Sequence, residues 1–175
     1  MRGRDSRSAG YPLDVSEGSG KEDGRRPIAS NRRARFEYTI LEALECGIAL
    51  TGTEVKSLRN GQASIAEAYG MVRNGQMFLV GCHIPEYTQG NVHNHVPTRE
   101  RKLLLHKKEI QRWHAAAKEK GVTIVPLSLY FKGSRAKLEM ALCKGKKLYD
   151  KRQDKRKQED RREIDRAMSR ARREH

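Results

Sequence analysis

The chain has 175 residues, with 37 Lys and Arg against 22 Asp and Glu, so its formal net charge is +15. This length allows one ordinary domain, and the absence of an apolar run of about 18 residues excludes a transmembrane helix. No apolar core follows the first basic residues, so we expect no secretory signal. Three widely spaced cysteines, an odd number, argue against a disulfide scaffold and favour a reducing, cytoplasmic location. Such a charge predicts a polyanionic partner, nucleic acid before a membrane surface.

The charge is concentrated at the two ends of the chain. The middle, residues 36–143, has a net charge of only +4, whereas residues 144–175 carry +7. The first 27 residues are rich in Gly, Ser, Arg and Asp and show no apolar period, which is typical of disorder. We therefore expect a disordered extension over 1–27, one folded domain over 28–150 and a basic tail over 151–175.

Short apolar alternating runs predict a mainly β domain. Asn74-Gly75 suits the two positive φ angles of a type I′ turn and predicts a hairpin, and Gly133-Ser134 predicts another. Six antiparallel strands favour a small barrel, which removes exposed edges, over an open sheet crossed by one helix. The predicted strands are 36–41, 44–50, 69–73, 76–84, 122–132 and 136–144.

About three helices accompany these strands. Residues 53–60 can begin with Thr53 as the cap and end at Gly61, and residues 64–68 can form one further turn. In 107–120, Ile110 and Trp113 share the helical spacing of a buried face, and Gly121 follows at the stop position.

A search for catalytic chemistry finds no constellation. His93 and His95 could ligate a metal, but no third ligand is close, so we expect them to be surface histidines in a loop. Neither a phosphate-binding glycine loop nor a nucleophile motif is present. The sequence therefore predicts a protein that is not an enzyme and that has no metal and no cofactor.

Three basic clusters favour nucleic-acid binding. The first is Arg32, Arg33 and Arg35; the second, around Arg101 and Lys102, leads into three leucines, which we expect to anchor a loop while the cations face outward. In the third, Tyr149 lies among lysines and arginines, so its ring could stack on a base while the cations bind phosphates. An exposed basic run is usually only solvated, but three runs on a +15 chain make that interpretation weaker.

The tail beyond Asp150 is almost wholly charged. As a helix it would align Ile164, Ala167, Met168 and Ala171 in a narrow apolar stripe. Isolated helices of this kind are marginal in water. We expect the tail to be disordered alone and helical when RNA or protein orders it.

Several long motifs carry a specific resemblance to one family. Residues 31–35 (NRRAR), 50–59 (LTGTEVKSLR), 99–106 (RERKLLLH) and 144–152 (KGKKLYDKR) occur in the order seen in the SsrA-binding (SmpB) proteins. The chain resembles that family over about residues 28–175. The resemblance implies an oligonucleotide-binding (OB)-fold-like barrel that binds the tRNA-like domain of transfer-messenger RNA. It also implies delivery of that RNA to bacterial ribosomes stalled without a stop codon, in trans-translation.

The resemblance also suggests which residues bind. Phe36 stands where relatives often have His, so only a stacking role would survive there. Leu104 and Leu44 could equally be packing residues of the barrel. For contacts with transfer-messenger RNA the residues are Arg32, Arg33, Arg35, Phe36, Glu45, Arg101, Lys102, Leu104 and His106. For the decoding centre and the mRNA channel they are Lys144, Lys146, Lys147, Tyr149, Asp150, Lys151, Arg152, Arg161, Arg162 and Arg166.

The resemblance also implies further partners, and the sequence leaves two alternative functions open. A complex of alanyl-charged transfer-messenger RNA with elongation factor Tu is an expected partner, the chain itself is expected to be monomeric, and no membrane is expected. The alternative is a general basic RNA-binding or ribosome-associated protein without specificity for this RNA. A metal-dependent nuclease is a distant third.

Overall fold

The computed structural model describes residues 24–90 and 94–171. Within these residues no helix is long and apolar enough to span a membrane. The described residues form seven strands and four helices. In order they are β1 (Arg25–Ser30), α1 (Arg32–Glu37), β2 (Tyr38–Ile48), α2 (Gly52–Arg59), β3 (Tyr69–Arg73), β4 (Gln76–Val80), β5 (Arg101–Leu104), α3 (Lys107–Ala116), β6 (Val122–Lys132), β7 (Arg135–Gly145) and α4 (Leu148–Ala171).

All strands belong to one antiparallel sheet in the order β1-β6-β7-β2-β5-β4-β3. The mainly β class is confirmed, but the sheet has seven strands and not the predicted six. The sheet curls so that β3 packs on β6. Gly70 permits this close approach because it has no side chain: a Cβ there would lie 2.6 Å from Cγ2 of Ile124. No ladder of backbone hydrogen bonds joins β3 to β6 in the described residues, so the sheet is curled but open.

Two predicted strands, 36–41 and 44–50, are one continuous strand with a bulge. The register of β2 against β7 shifts between Ile40 and Glu42, leaving Leu41 as the extra residue. A bulge changes which face the following side chains occupy. Ile40 therefore packs on the outer face of the sheet, whereas Cys46 and Ile48 enter the core on the other face.

Both predicted hairpins are confirmed. Asn74 and Gly75 have φ angles of 51° and 68°, as a type I′ turn requires, and Arg73 pairs with Gln76 around them. Gly133 has a φ of 60° and lies in a two-residue turn, because Lys132 pairs with Arg135. Two strands were missed: β1 begins at Arg25, inside the predicted extension, and β5 stands where a loop was predicted.

The core lies within the curl of the sheet. Ile110 and Trp113 of α3 are buried there, as their spacing predicted, although α3 ends at Ala116 and not at residue 120. Helix α2 begins after Thr51 and not Thr53; the Thr51 N–H donates to Oε2 of Glu54 at 2.7 Å. On the outer face, a second small cluster places Ala34 of α1 over Val125, Leu127, Ala141 and Cys143.

Candidate nucleic-acid interface

A groove of about 890 Å³ opens at the end of the sheet where β2 finishes, β5 lies beside it and α3 begins. It is open to solvent and is closed on one side by the Asn74-Gly75 turn. We call it the Glu45 groove. Four residues predicted to contact RNA line it, although they come from distant parts of the sequence: Glu45, Lys102, Leu104 and His106.

The alternation of β5 explains which of its residues reach the groove. Arg101 and Leu103 point inward and are buried, whereas Lys102 and Leu104 point outward and are exposed. Leu104 rests on Gly47 of the neighbouring strand, and 54% of its surface is nevertheless exposed. Leu103 and not Leu104 is therefore the packing residue of the core. Leu44 is half-buried and packs against that core.

His106 presents its side chain at the mouth of the Glu45 groove. It is the residue before α3, and its backbone N–H donates to Oε2 of Glu109 at 2.9 Å, which fixes the start of the helix. Its imidazole is exposed, next to the exposed ammonium groups of Lys107 and Lys108. A polar ring beside two cations is suited to contacts with a base edge and with phosphates.

Glu45 is an acid in a basic surrounding. Its Oε2 accepts a hydrogen bond of 2.6 Å from the hydroxyl of Tyr130, and its Oε1 lies 3.5 Å from Nζ of Lys137. Guanidinium and ammonium groups of Arg25 and Lys132 lie 4.0 Å from Oε2. The Tyr130 hydrogen bond and the lysine charges lower the pKa of Glu45, although desolvation opposes them. The carboxylate is ionised at neutral pH, so it can only accept hydrogen bonds.

Arg101 is a correction to the predicted site. Its side chain is fully buried and donates to Oε1 of Glu54 at 2.9 Å and to the carbonyl oxygens of Cys82, Pro97 and Arg99. The bond to Glu54 ties β5 to α2, and the three bonds to carbonyl oxygens tie β5 to the long β4–β5 connection. We therefore assign Arg101 to holding the fold and withdraw it from the RNA contacts, because a buried guanidinium cannot meet a phosphate.

The predicted arginine cluster lies at the other end of β2. Arg32, Arg33 and Arg35 are exposed on α1, and Arg33 forms ion pairs with Glu37 and Glu67. Phe36 is half-buried in α1, not the first residue of a strand as predicted. From Tyr38 to Gly47, β2 covers nine residue steps, or about 30 Å. The α1 arginines therefore do not join the Glu45 groove.

Lysines at the end of β7 share the end of the sheet where α1 lies. The Lys146 N–H donates to the Glu37 carbonyl at 2.9 Å and its Nζ to the Arg35 carbonyl at 3.0 Å, which ties the chain to α1 just before α4. Lys144 and Lys147 are exposed beside it. We call this the α1–β7 basic surface, made of Arg32, Arg33, Arg35, Lys144, Lys146 and Lys147.

Helix α4 leaves from this surface as a continuous helix of 24 residues. Its predicted ribosome-contacting residues Asp150, Arg152, Arg161, Arg162 and Arg166 are exposed. The side chains of Tyr149 and Lys151 lie outside the described part of the structure. Ile164 and Met168 are more than half exposed, so the predicted apolar stripe has no cover at these two positions.

The histidine prediction is partly wrong. His95 is buried, with Nδ1 3.0 Å from the Thr53 hydroxyl and Nε2 3.0 Å from the Ile84 carbonyl, so it is not a surface residue. His93 lies outside the described residues. Among residues 24–90 and 94–171, no group of His, Cys, Asp and Glu is arranged to hold a metal ion.

Sequence reasoning missed several groups at the Glu45 groove. Lys137 lines it, and Arg25, Tyr130 and Lys132 surround Glu45 from the outer face of the sheet. Along β6 and β7, outward-facing residues alternate with core residues, and this alternation is the sequence signal that could have identified Tyr130, Lys132 and Lys137 as outward-facing. Connecting these residues to Glu45 also requires the β2–β7 register, which pairs Gly47 with Lys137.

The chain is similar in sequence to known proteins. A family model described as "SmpB protein" matches residues 28–170. The SsrA-binding protein of Kineococcus radiotolerans is 54% identical over 149 residues, covering 85% of this chain and 96% of that protein. The SsrA-binding protein of Saccharopolyspora erythraea is 55% identical over 152 residues, covering 87% and 96%.

A solved structure is similar as well. It is described as "tmRNA-SmpB: a journey to the center of the bacterial ribosome" and aligns with a TM-score of 0.60 at 45% identity. The alignment covers 70% of this chain and 86% of the other.

Proposed function

The chain belongs to the SmpB protein family, and we propose that it binds the tRNA-like domain of transfer-messenger RNA and delivers this RNA to ribosomes stalled without a stop codon. The observation that carries the proposal is the Glu45 groove. It brings a hydrogen-bond acceptor, an exposed leucine, an imidazole and several cations to one concave surface. The protein acts as an adaptor in trans-translation, without a chemical step of its own.

Each kind of group in the groove suits one part of a folded RNA. The ammonium groups of Lys102 and Lys107 can neutralise phosphates, which position the RNA without reading its sequence. The ionised carboxylate of Glu45 and the imidazole of His106 can pair with base edges or ribose hydroxyls. The half-exposed Leu104 gives an apolar surface on which an unstacked base can rest. A groove with all three functions suits a structured RNA loop better than a plain duplex.

The α1–β7 basic surface and α4 form a second interface, which we assign to the ribosome. This assignment differs from the sequence-based prediction, which placed Arg32, Arg33 and Arg35 at the transfer-messenger RNA, because these arginines lie about 30 Å from the Glu45 groove. Their separation from the Glu45 groove by about the length of β2 allows one protein to hold two RNAs at once. Helix α4 has 24 residues and a length of about 36 Å. An mRNA in the channel would exclude this helix by occupying the same space, which gives a physical basis for sensing an empty channel.

The proposal extends to the location, the oligomeric state and the partners of the protein. The protein acts in the bacterial cytoplasm as a monomer, and it travels with alanyl-charged transfer-messenger RNA and elongation factor Tu. The Lys146 bonds to α1 support a fixed start for the tail, so that the tail projects from the body in a defined direction. Residues 148–171 are helical in the structure, but Ile164 and Met168 are uncovered and an isolated helix of this kind is marginal in water, so we propose that the channel stabilises this helix.

Sequencing of the RNA that co-purifies with the protein tests this function. The proposal predicts one dominant RNA with a tRNA-like domain. A variant with Lys102→Ala and Leu104→Ala should lose most of it, whereas a control with Arg161→Ala and Arg162→Ala on α4 should keep it. Heterogeneous RNA in all three samples would instead indicate a general basic RNA-binding protein, the alternative that the +15 charge alone would support.

A further inference from the structure

We infer that Tyr130 is a positioning residue for RNA recognition: with Arg25 stacked on its ring, it holds the Glu45 carboxylate as a fixed acceptor at the edge of the groove. This inference rests on the proposed function. It goes further, because neither Tyr130 nor Arg25 lines the groove itself.

The geometry gives Tyr130 this role. Its ring is buried on the outer face of β6, with 4% of its surface exposed, so the ring is not available to stack on a base. Its hydroxyl reaches across β7 to β2 and donates to Oε2 of Glu45 at 2.6 Å. A short, charge-assisted hydrogen bond from a rigid ring fixes both the position and the orientation of a carboxylate.

Arg25 holds the ring from above. Its guanidinium carbon lies 5.0 Å from the centroid of the Tyr130 ring, within the range of a cation–π contact, and its NH2 group lies 4.0 Å from Oε2 of Glu45. Arg25 occupies this place because β1 pairs with β6 and puts Arg25 opposite Lys132. Strand β1, which the sequence did not predict, therefore places Arg25 where it contacts both the Tyr130 ring and the Glu45 carboxylate.

Glu45 keeps free acceptor sites in this arrangement. A carboxylate has about four lone-pair sites; the Tyr130 hydroxyl takes one on Oε2, and Lys137 approaches Oε1 at 3.5 Å. The Glu45 side chain is 32% exposed, so acceptor sites that these groups do not occupy can face the RNA. The partner chemistry is a hydrogen-bond donor, either a base amino or imino group or a ribose 2′-hydroxyl.

The charges around Glu45 come from every neighbouring element. They belong to Arg25 from β1, Lys132 from β6, Lys137 and Glu139 from β7, Lys102 from β5, and Lys107 and Glu109 from the start of α3, where the imidazole of His106 also lies. Of these groups, Lys132 and Lys137 favour the ionised form of Glu45. Removing the Tyr130 hydroxyl therefore leaves a charged but less firmly oriented carboxylate.

The test combines single and double variants in the full-length protein. The probe is an in vitro transcript of the tRNA-like domain of the host's transfer-messenger RNA. We expect Tyr130→Phe to weaken its binding about threefold to tenfold, the range that corresponds to one hydrogen bond. In a Glu45→Ala background, which leaves the Tyr130 hydroxyl no side-chain acceptor at position 45, Tyr130→Phe should have almost no further effect. Tyr38→Phe, at the far end of β2, is the matched control and should bind like the parent.

A second measurement keeps the inference independent of RNA. NMR titration of the free protein should show a higher pKa for the Glu45 carboxyl in Tyr130→Phe than in the parent, because the hydrogen bond is the largest cause of its lowered value. The same affinity loss in the Glu45→Ala and parent backgrounds, or an unchanged Glu45 pKa, would overturn the inference. If the parent does not bind the transcript, the proposed function fails first. A 2′-deoxy substitution series in the transcript then distinguishes base donors from ribose donors.

Discussion

Two adjacent residues of β5 have opposite roles, and mutation can separate them. Arg101→Ala removes the donors to Glu54 and to three carbonyl oxygens in a buried site. Breaking a buried ion pair by removing one partner costs about 3–5 kcal/mol, which urea unfolding of the purified variant would measure. Lys102→Ala, its exposed neighbour, should change the unfolding free energy by about 0.5 kcal/mol or less and weaken RNA binding. If Arg101→Ala kept its stability but lost RNA binding, Arg101 would contact the RNA, as the sequence predicted.

Glu54 makes the fold sensitive to acid. Burial alone would raise its pKa, but hydrogen bonds from Arg99 and the Thr51 N–H and the charge of Arg101 leave the pKa below its usual value. A group with a lowered pKa in the folded state stabilises above the unfolded value, about 4.3, and loses this contribution as pH falls. We expect the unfolding free energy to fall as the pH drops below about 5, and to fall less steeply in Glu54→Gln. Equal pH slopes in urea titrations of both proteins would contradict this.

The burial of Arg101 could not be read from the sequence. Arg101-Lys102-Leu103-Leu104 does alternate in the structure, but the run of three leucines that follows Lys102 obscures the period. The partner of Arg101 is Glu54, 47 residues away, and only the assembled fold brings them together. Glu45, Leu104 and His106 were predicted from a family resemblance, and the structure shows that they share one groove.

At the scale of elements, the sequence predicted turns that depend on two neighbouring residues, but it did not predict strands that depend on pairing with distant segments. The Asn74-Gly75 and Gly133-Ser134 turns specify hairpins from two residues, because positive φ angles are local properties. Strands β1 and β5 are stabilised by pairing with β6, and with β2 and β4, far along the chain. Their own sequences are short and contain Arg, Pro or Lys, which are weak strand formers. The bulge at Leu41 interrupts the alternation of apolar residues along β2, so the sequence pattern predicted two strands in place of one.

Gly70 tests the curl of the sheet. An added Cβ would lie 2.6 Å from Ile124 and 3.0 Å from Met140, inside the core. Gly70→Ala should therefore cost about 1–3 kcal/mol, seen as a lower midpoint in thermal or urea unfolding. Gly145→Ala, where nothing lies within 4 Å of the new Cβ, is the matched control and should unfold like the parent. Equal stabilities would mean that β3 does not need to approach β6 so closely.

At the scale of the molecule, the cations around the Glu45 groove should determine the salt dependence of RNA binding. Five lie in or beside it: Arg25, Lys102, Lys107, Lys132 and Lys137. If about five phosphates are neutralised, log K should fall against log[salt] with a slope of about −3.5 to −4.5. Filter binding or fluorescence anisotropy over a range of KCl concentrations measures the slope. A flat response would contradict electrostatic docking in the groove.

The most direct test of the account compares the full-length protein with a chain that ends at Arg152. Both are assayed for binding to the tRNA-like transcript and for peptide tagging on ribosomes stalled without a stop codon. The account predicts equal RNA affinity, because the residues that line the Glu45 groove lie between 45 and 137, and loss of tagging, because most of α4 is gone. Loss of RNA binding on truncation, or tagging that survives it, would contradict the division of the molecule into an RNA-docking groove and a ribosome-sensing helix.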